Sequence, residues 1–260
     1  MARSFTKEKR IAILISGTGT TAIAVAQAMK QGAIKDVSCE LVIASKPEAN
    51  REGVRRAFCL EKARAMLVSP RDYVSAREYE NALLRALESH GIDAVALLGH
   101  IPLLPRRIIE RYRGRAFNQH GGGLDPGRKL ANGMRRDFGG RGMMGRATHA
   151  AMFFFGKEAM RHTGADTYMV EVSSHHLTAG IDDGDLIGFE QVAVRRDQSF
   201  DDFRARAMDA ERRLQIRVLA RYGRSGVFGS ISRSMALIPD RFLPILARAR
   251  AHAIAEYPKG

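Results

Sequence analysis

The chain has no tryptophan and only two cysteines, Cys39 and Cys59. Neither cysteine has a partner at metal-ligand spacing, so neither a disulfide framework nor a zinc site is expected, and structural thiols in a reducing cytoplasm are the expectation. No apolar run approaches the roughly 18 residues that cross a bilayer. The start, from Met1 to Arg10, is charged and leads into an apolar segment too short for a secretory signal. The expectation is therefore a soluble cytoplasmic protein without a membrane partner. Acidic residues are also scarce: 28 Asp and Glu face 42 Lys and Arg, a formal net charge of +14. Such an excess attracts phosphates or nucleic acid by long-range steering. The basic residues are spread along the chain in pairs such as Arg55-Arg56 and Arg212-Arg213. They lack the interleaved aromatics on which bases stack, so a solvated surface is favoured over a nucleic-acid groove.

What is present is a 45% apolar content over 260 residues, enough for a sizeable core. Ile11 to Ile15 is a continuous apolar run, as a strand buried on both faces requires, and it stops at Ser16-Gly17-Thr18-Gly19-Thr20-Thr21 before a helical stretch, Ala22 to Lys30. Alternation continues. Strands are expected at 39–45, 65–68 and 94–99, with helices at 50–58, an amphipathic 73–90 and 106–112. Strands separated by helices predict parallel βαβ units and an open, mostly parallel α/β sheet flanked by helices. Beyond the middle of the chain the pattern gives a helix at 148–160, strands at 167–172 and 189–194, and a long helix at 200–222 with Asp201 and Asp202 in its first turn. A connector and a short helix follow. The organisation predicted is one α/β domain over 1–222 with a helical appendage over 223–260.

Three stretches carry candidate chemistry. The turn at Gly17 to Thr21 joins a strand to a helix start, where free backbone N–H groups and the helix dipole suit a phosphate, although it is neither a P-loop nor a full dinucleotide fingerprint. Phe117-Asn118-Gln119-His120-Gly121-Gly122-Gly123 places an amide and an imidazole two residues apart, hence on one side of an extended chain. That pair suits acyl chemistry, in which an oxyanion is stabilised while a proton moves. By itself the same pattern also describes a strand followed by a structural glycine turn. Gly180-Ile181-Asp182-Asp183-Gly184 is an acidic turn, too short for an EF-hand and without its closing glutamate. The adjacent His175 and His176 point to opposite sides of an extended chain and form no chelate. Between Gly121 and Gly145 lies a stretch of Gly, Arg and Met, expected to be either a mobile lid or a tolerated basic insertion.

Together these pieces resemble the formyltransferase family, the glycinamide ribonucleotide branch foremost, over about residues 11–222. Ile15 to Thr21 is similar to the family's phosphate loop, Leu98-Gly99-His100 through Asn118-Gln119-His120 and Leu124 to its Asn-x-His segment, and Gly180 to Gly184 to its aspartate turn. Ser199-Phe200-Asp201-Asp202 leading to Glu211 resembles its phosphoribose-contacting helix. The resemblance implies a Rossmann-like formyltransferase fold and transfer of a formyl group from 10-formyltetrahydrofolate, the co-substrate, to the amine of a phosphorylated acceptor such as glycinamide ribonucleotide, with no metal. Asn118, His120 and Asp182 are implied as catalytic. Gly17, Gly19, Thr20, Thr21 and Glu211 are implied at the phosphoribosyl group, and His100, Ile101, Leu103, Leu104, Thr178 and Gly180 at the folate. A monomer or homodimer is expected. Hydrolysis of the formyl folate, another acceptor amine, or a non-catalytic basic nucleotide- or RNA-binding module are the alternatives. The sequence departs from the family pattern in four places, the first being Thr21 where an asparagine is common in the phosphate loop. Three glycines follow His120 where a proline is usual, which predicts a looser turn. Basic residues are inserted before Arg141. The histidine or aromatic residue usual before the aspartate maps to Tyr168 or His175.

Overall fold

A computed structural model describes residues 8–57, 64–131 and 133–258. The helix expected to end at Phe58 and the second cysteine, Cys59, reach outside these residues. Seven strands and seven α-helices are found among the described residues, and the chain forms two compact units whose boundaries fall within one strand and one helix.

The first unit comprises residues up to Gln119 together with Gln215–Phe228. Its strands are β1 (Lys9–Ile15), β2 (Val37–Ala44), β3 (Arg64–Leu67), β4 (Ala94–Leu97) and β5 (Ala116–His120), the last ending one residue beyond the unit. They lie in the order β3-β2-β1-β4-β5 and are parallel throughout, as the alternation of strands and helices predicts. Ile11 to Ile15 are at most 1% exposed, which explains why this strand reads as an unbroken apolar run rather than an alternating one. Helices α1 (Thr20–Lys30), α2 (Arg51–Ala57), α3 (Ala76–Ser89) and α4 (Arg106–Arg111) make the crossovers. The side chain of Ser75 caps α3 by accepting from the Glu78 N–H at 3.2 Å, and Tyr79, Leu83, Ala86 and Leu87 form its buried face. The strand order reverses between β1 and β4, so the loops after these two strands flank the switch point where open α/β sheets bind ligands.

The second unit holds His120–Leu214 and Gly229–Gly260. It contains α5 (Gly145–Thr163), the antiparallel pair β6 (Thr167–His176) and β7 (Leu186–Arg195), the start of α6 (Phe200–Ser225), and α7 (Leu243–Glu256). Of the three consecutive phenylalanines in α5, Phe155 is fully buried against Phe138, Tyr168 and Phe242, and Phe153 meets Phe200 and Phe203. They are core. Several elements outrun the sequence reading, β6 and α6 among them. β6 continues through His176 because its backbone still pairs with β7 beyond Val172. α6 runs past Gly223 to Ser225. Gly223 is in the helix because a Cβ there would lie 2.1 Å from the Lys35 carbonyl oxygen, so it marks a close approach and not a helix stop.

Candidate active site

In the first unit, Ser16 ties three strand ends together. Its hydroxyl accepts from the Ile101 N–H at 2.8 Å and lies 2.5 Å from the Ser45 hydroxyl, while its own N–H donates to the Gly99 carbonyl at 3.0 Å. The Gly17 turn after β1 and the loop from His100 to Leu104 after β4 are thereby held side by side. Gly19 is the N-cap of α1, in the left-handed region at φ +68°, and a Cβ on it would meet Val54 Cγ2 at 2.3 Å. No other residue fits there. No side chain caps this helix, so the N–H groups of its first turn, beginning at Thr20 and Thr21, are directed outward as an anion site requires. Asn50, which the sequence reading did not single out, braces the turn by donating its backbone N–H to the Gly17 carbonyl at 3.1 Å.

Of the four residues expected at the folate in this unit, His100 and Leu104 are buried, whereas Ile101 and Leu103 are 45% and 70% exposed. Burial pushes the His100 imidazole down to about 4, with the Ile15 carbonyl opposing it. Asn118 lies in β5 opposite Leu97 of β4.

In the second unit, three titratable groups meet. His120 is 5% exposed at the end of β5. Its Nδ1 is 3.2 Å from the Gly122 N–H nitrogen and 3.0 Å from the Gly122 carbonyl, and its Nε2 is 3.3 Å from the Met143 carbonyl. One neutral tautomer satisfies both sides: Nε2–H donates to Met143 and Nδ1 accepts from Gly122. The protonated ring also fits, with both nitrogens donating to carbonyls. Asp182 lies against this ring, Oδ2 being 3.7 Å from His120 Nε2, and its Oδ1 is 3.6 Å from His175 Nε2. His175 donates Nδ1–H to the His176 carbonyl at 2.9 Å. Burial drives its pKa down to about 4; Asp182 opposes the shift and His120 adds to it. His175, and not Tyr168, is therefore the residue of β6 beside the aspartate; Tyr168 packs in the aromatic core.

The turn that carries Asp182 is tightly specified. Asp182 sits in the left-handed region at φ +53°. A Cβ at Gly184 would come within 1.8 Å of the His176 carbonyl oxygen, so the loop closes directly onto β6. The Gly140 N–H donates to Asp182 Oδ2 at 2.8 Å and fixes the carboxylate's rotation. Thr178 and Gly180 are exposed on the same turn. Glu211 is held elsewhere in the unit, its Oε1 2.6 Å from His149 Nε2 with both side chains buried, and the pair abuts Gly121. His149 carried no signal in the sequence, since it lies inside a helix among small and apolar residues.

The stretch after His120 differs from the expectation in two respects. The glycines do not loosen the turn. None has a positive φ, and a Cβ on Gly121, Gly122 or Gly123 would lie 2.9, 2.7 and 2.8 Å from its nearest side-chain neighbour, so each is there for want of space. Nor is the basic segment beyond them a free lid. Arg128 donates to the carbonyls of Arg233, Ser234 and Met235, Asp125 accepts from the Leu237 N–H, Arg250 donates to the Asp137 carbonyl, and Phe138 is 1% exposed.

The chain is similar to several known proteins. The Formyl transferase family model matches residues 9–126. The trifunctional purine biosynthetic protein adenosine-3 of Drosophila melanogaster is 33% identical over 117 residues, 44% of this chain and 8% of that protein. The phosphoribosylglycinamide formyltransferase of Bacillus subtilis is 26% identical over 112 residues, 43% of this chain and 55% of that enzyme. The matched stretch thus spans about half the length of the bacterial relative and a small part of the trifunctional one. Among solved structures, glycinamide ribonucleotide transformylase 1 from Symbiobacterium toebii superposes with a TM-score of 0.65 at 24% identity, covering 86% of this chain and 92% of that one. Residues 9–126 match the Formyl transferase family model, and the chain shares the fold of the glycinamide ribonucleotide transformylase structure to which it is similar.

Proposed function

We propose that the protein transfers a formyl group from 10-formyltetrahydrofolate to the amine of glycinamide ribonucleotide. The observation that carries this reading is the buried imidazole of His120, with the Asp182 carboxylate beside it and Asn118 two residues earlier on the same strand. The acceptor amine attacks the formyl carbon, the C–O π electrons move to oxygen, and the Asn118 side-chain amide donates to that oxyanion. His120 receives the proton lost by the amine and delivers it to the folate nitrogen as the C–N bond breaks. Asp182 favours the imidazolium during this exchange. The N–H groups at Gly19, Thr20 and Thr21 seat the phosphate, and Glu211 contributes at the ribose side. The family resemblance supports folate contacts for His100, Ile101, Leu103, Leu104, Thr178 and Gly180.

The test is to incubate the protein with 10-formyltetrahydrofolate, with and without glycinamide ribonucleotide, and follow tetrahydrofolate release. Turnover that depends on the acceptor is expected. Release without acceptor would mean a hydrolase, and silence in both arms would leave a binding protein. Asn118→Ala, His120→Asn and Asp182→Asn should each lower kcat by about 10²- to 10³-fold while the protein stays folded. Near-wild-type turnover in any of the three would remove that residue from the mechanism.

A further inference from the structure

Asp182 occupies a backbone conformation that is costly for a side-chain-bearing residue and persists only where its surroundings over-determine it. Besides the Gly140 N–H and the close approach of Gly184, one side chain of the basic segment holds it. The Arg135 guanidinium donates to the Ile181 carbonyl at 3.2 Å, to the Asp182 carbonyl at 2.8 Å and to Asp183 Oδ1 at 2.6 Å, holding three consecutive residues of the turn. Its other edge makes a two-pronged pair with Asp137, both bonds 2.7 Å. Asp137 is 1% exposed and fixed in turn by the N–H groups of Asp125 and Gly139, at 2.8 and 3.0 Å. Burial would raise the Asp137 carboxyl; the Arg135 hydrogen bonds and charge outweigh it and hold the pKa below the usual carboxylate range, so this anchor stays ionised at neutral pH.

We propose that Arg135 is the positioning residue of the catalytic aspartate: its planar fork locks the 181–183 turn so that the Asp182 carboxylate faces His120 and His175. Resting on the reading of Asp182 given above, this assigns the inserted segment a task in catalysis. The geometry of the fork matters here, not only its charge. Five hydrogen bonds leave one planar group in fixed directions, which a lysine ammonium cannot reproduce. Arg135 touches no reacting atom, so its loss should act on the chemical step through misplacement of Asp182 and leave affinity for the acceptor alone.

The experiment uses the full chain with Arg135→Lys and Arg135→Ala, the lysine variant retaining the charge should the alanine variant fail to fold. Steady-state kinetics is measured alongside amide hydrogen exchange across residues 177–185. Both variants should keep KM for the acceptor within about twofold, while kcat falls on the order of 10²-fold, the cost of displacing a catalytic group by about an ångström. Guanidinium ion should restore part of the Arg135→Ala activity and none of that of His120→Asn. The amides of 177–185 should exchange faster than in the wild type. A kcat close to wild type in either folded variant, a change confined to KM, or unaltered exchange across the turn would overturn the proposal. A wild-type protein without formyl transfer would instead overturn the proposed reaction, and the exchange measurement would still decide whether Arg135 holds the turn.

Discussion

His100 offers a test of the first unit that is independent of any substrate. Its side chain is buried at the end of β4, and burial drives its pKa from 6.5 to about 4. In the unfolded chain the same imidazole titrates near 6.5, so between these two values the unfolded state binds more protons than the folded one, and stability must fall as the pH falls through this window. Above pH 6.5 the group contributes nothing; at pH 5 the difference of 1.5 pH units amounts to about 2 kcal/mol, and by pH 4 to about 3 kcal/mol. His175 acts in the same direction in the second unit, its pKa also lowered to about 4. The perturbation is His100→Asn, and the assay is urea unfolding at pH 7 and pH 5. The substitution carries its own packing cost, but that cost is present at both pH values and cancels in the difference. The wild type should therefore lose about 2 kcal/mol more than the variant between pH 7 and pH 5. Equal losses would refute the assignment of a buried, neutral His100.

Two glycine substitutions probe the packing, one in each unit. In Gly122→Ala the new Cβ would lie 2.7 Å from both Phe138 Cβ and Thr148 Cγ2, atoms too close to their own backbones to swing aside, so a loss of about 1–3 kcal/mol is expected in thermal unfolding. Gly127→Ala, which meets nothing within 4 Å, is the matched control and should be near neutral. In Gly19→Ala the strain of φ +68° adds to a 2.3 Å approach to Val54, and the phosphate turn must shift. The expected result is a raised KM for the phosphorylated acceptor with a smaller change in kcat; an unchanged KM would remove this turn from the binding site.

The parallel half of the fold was legible because each of its elements announces itself locally. β1 is apolar without interruption, α3 carries its cap at Ser75 and its apolar stripe, and the glycine turns fall at strand ends. The proximity of His120 and Asp182 was not legible from spacing alone, since 62 residues separate them; it entered through family resemblance. His175 could be placed only once β6 was seen to run through His176, because strand pairing with β7, and not local propensity, decides where that strand ends. The sequence misled most in the basic segment. A run of Gly, Arg and Met has neither period nor propensity, and its order comes from guanidinium groups reaching carbonyls more than 100 residues away, as Arg128 does at Arg233, Ser234 and Met235.

That segment and the glycines after His120 are two halves of one adaptation. Read separately, the glycines suggest slack and the arginines suggest an unstructured insertion. In the structure Phe138, brought in by the segment, fills the space that a side chain at Gly122 would need, and the Gly123 carbonyl accepts the Phe138 N–H at 3.0 Å. The same segment supplies the Met143 carbonyl to His120, the Gly140 N–H to Asp182 and Arg135 to the turn beneath it. A proline after His120 would carry ring atoms where Gly121 already meets His149 and Glu211 at 2.9 and 3.3 Å from an added Cβ. Restoring proline by Gly121→Pro should therefore destabilise this chain, because here the histidine is held by the segment packed around it and not by a rigid residue following it.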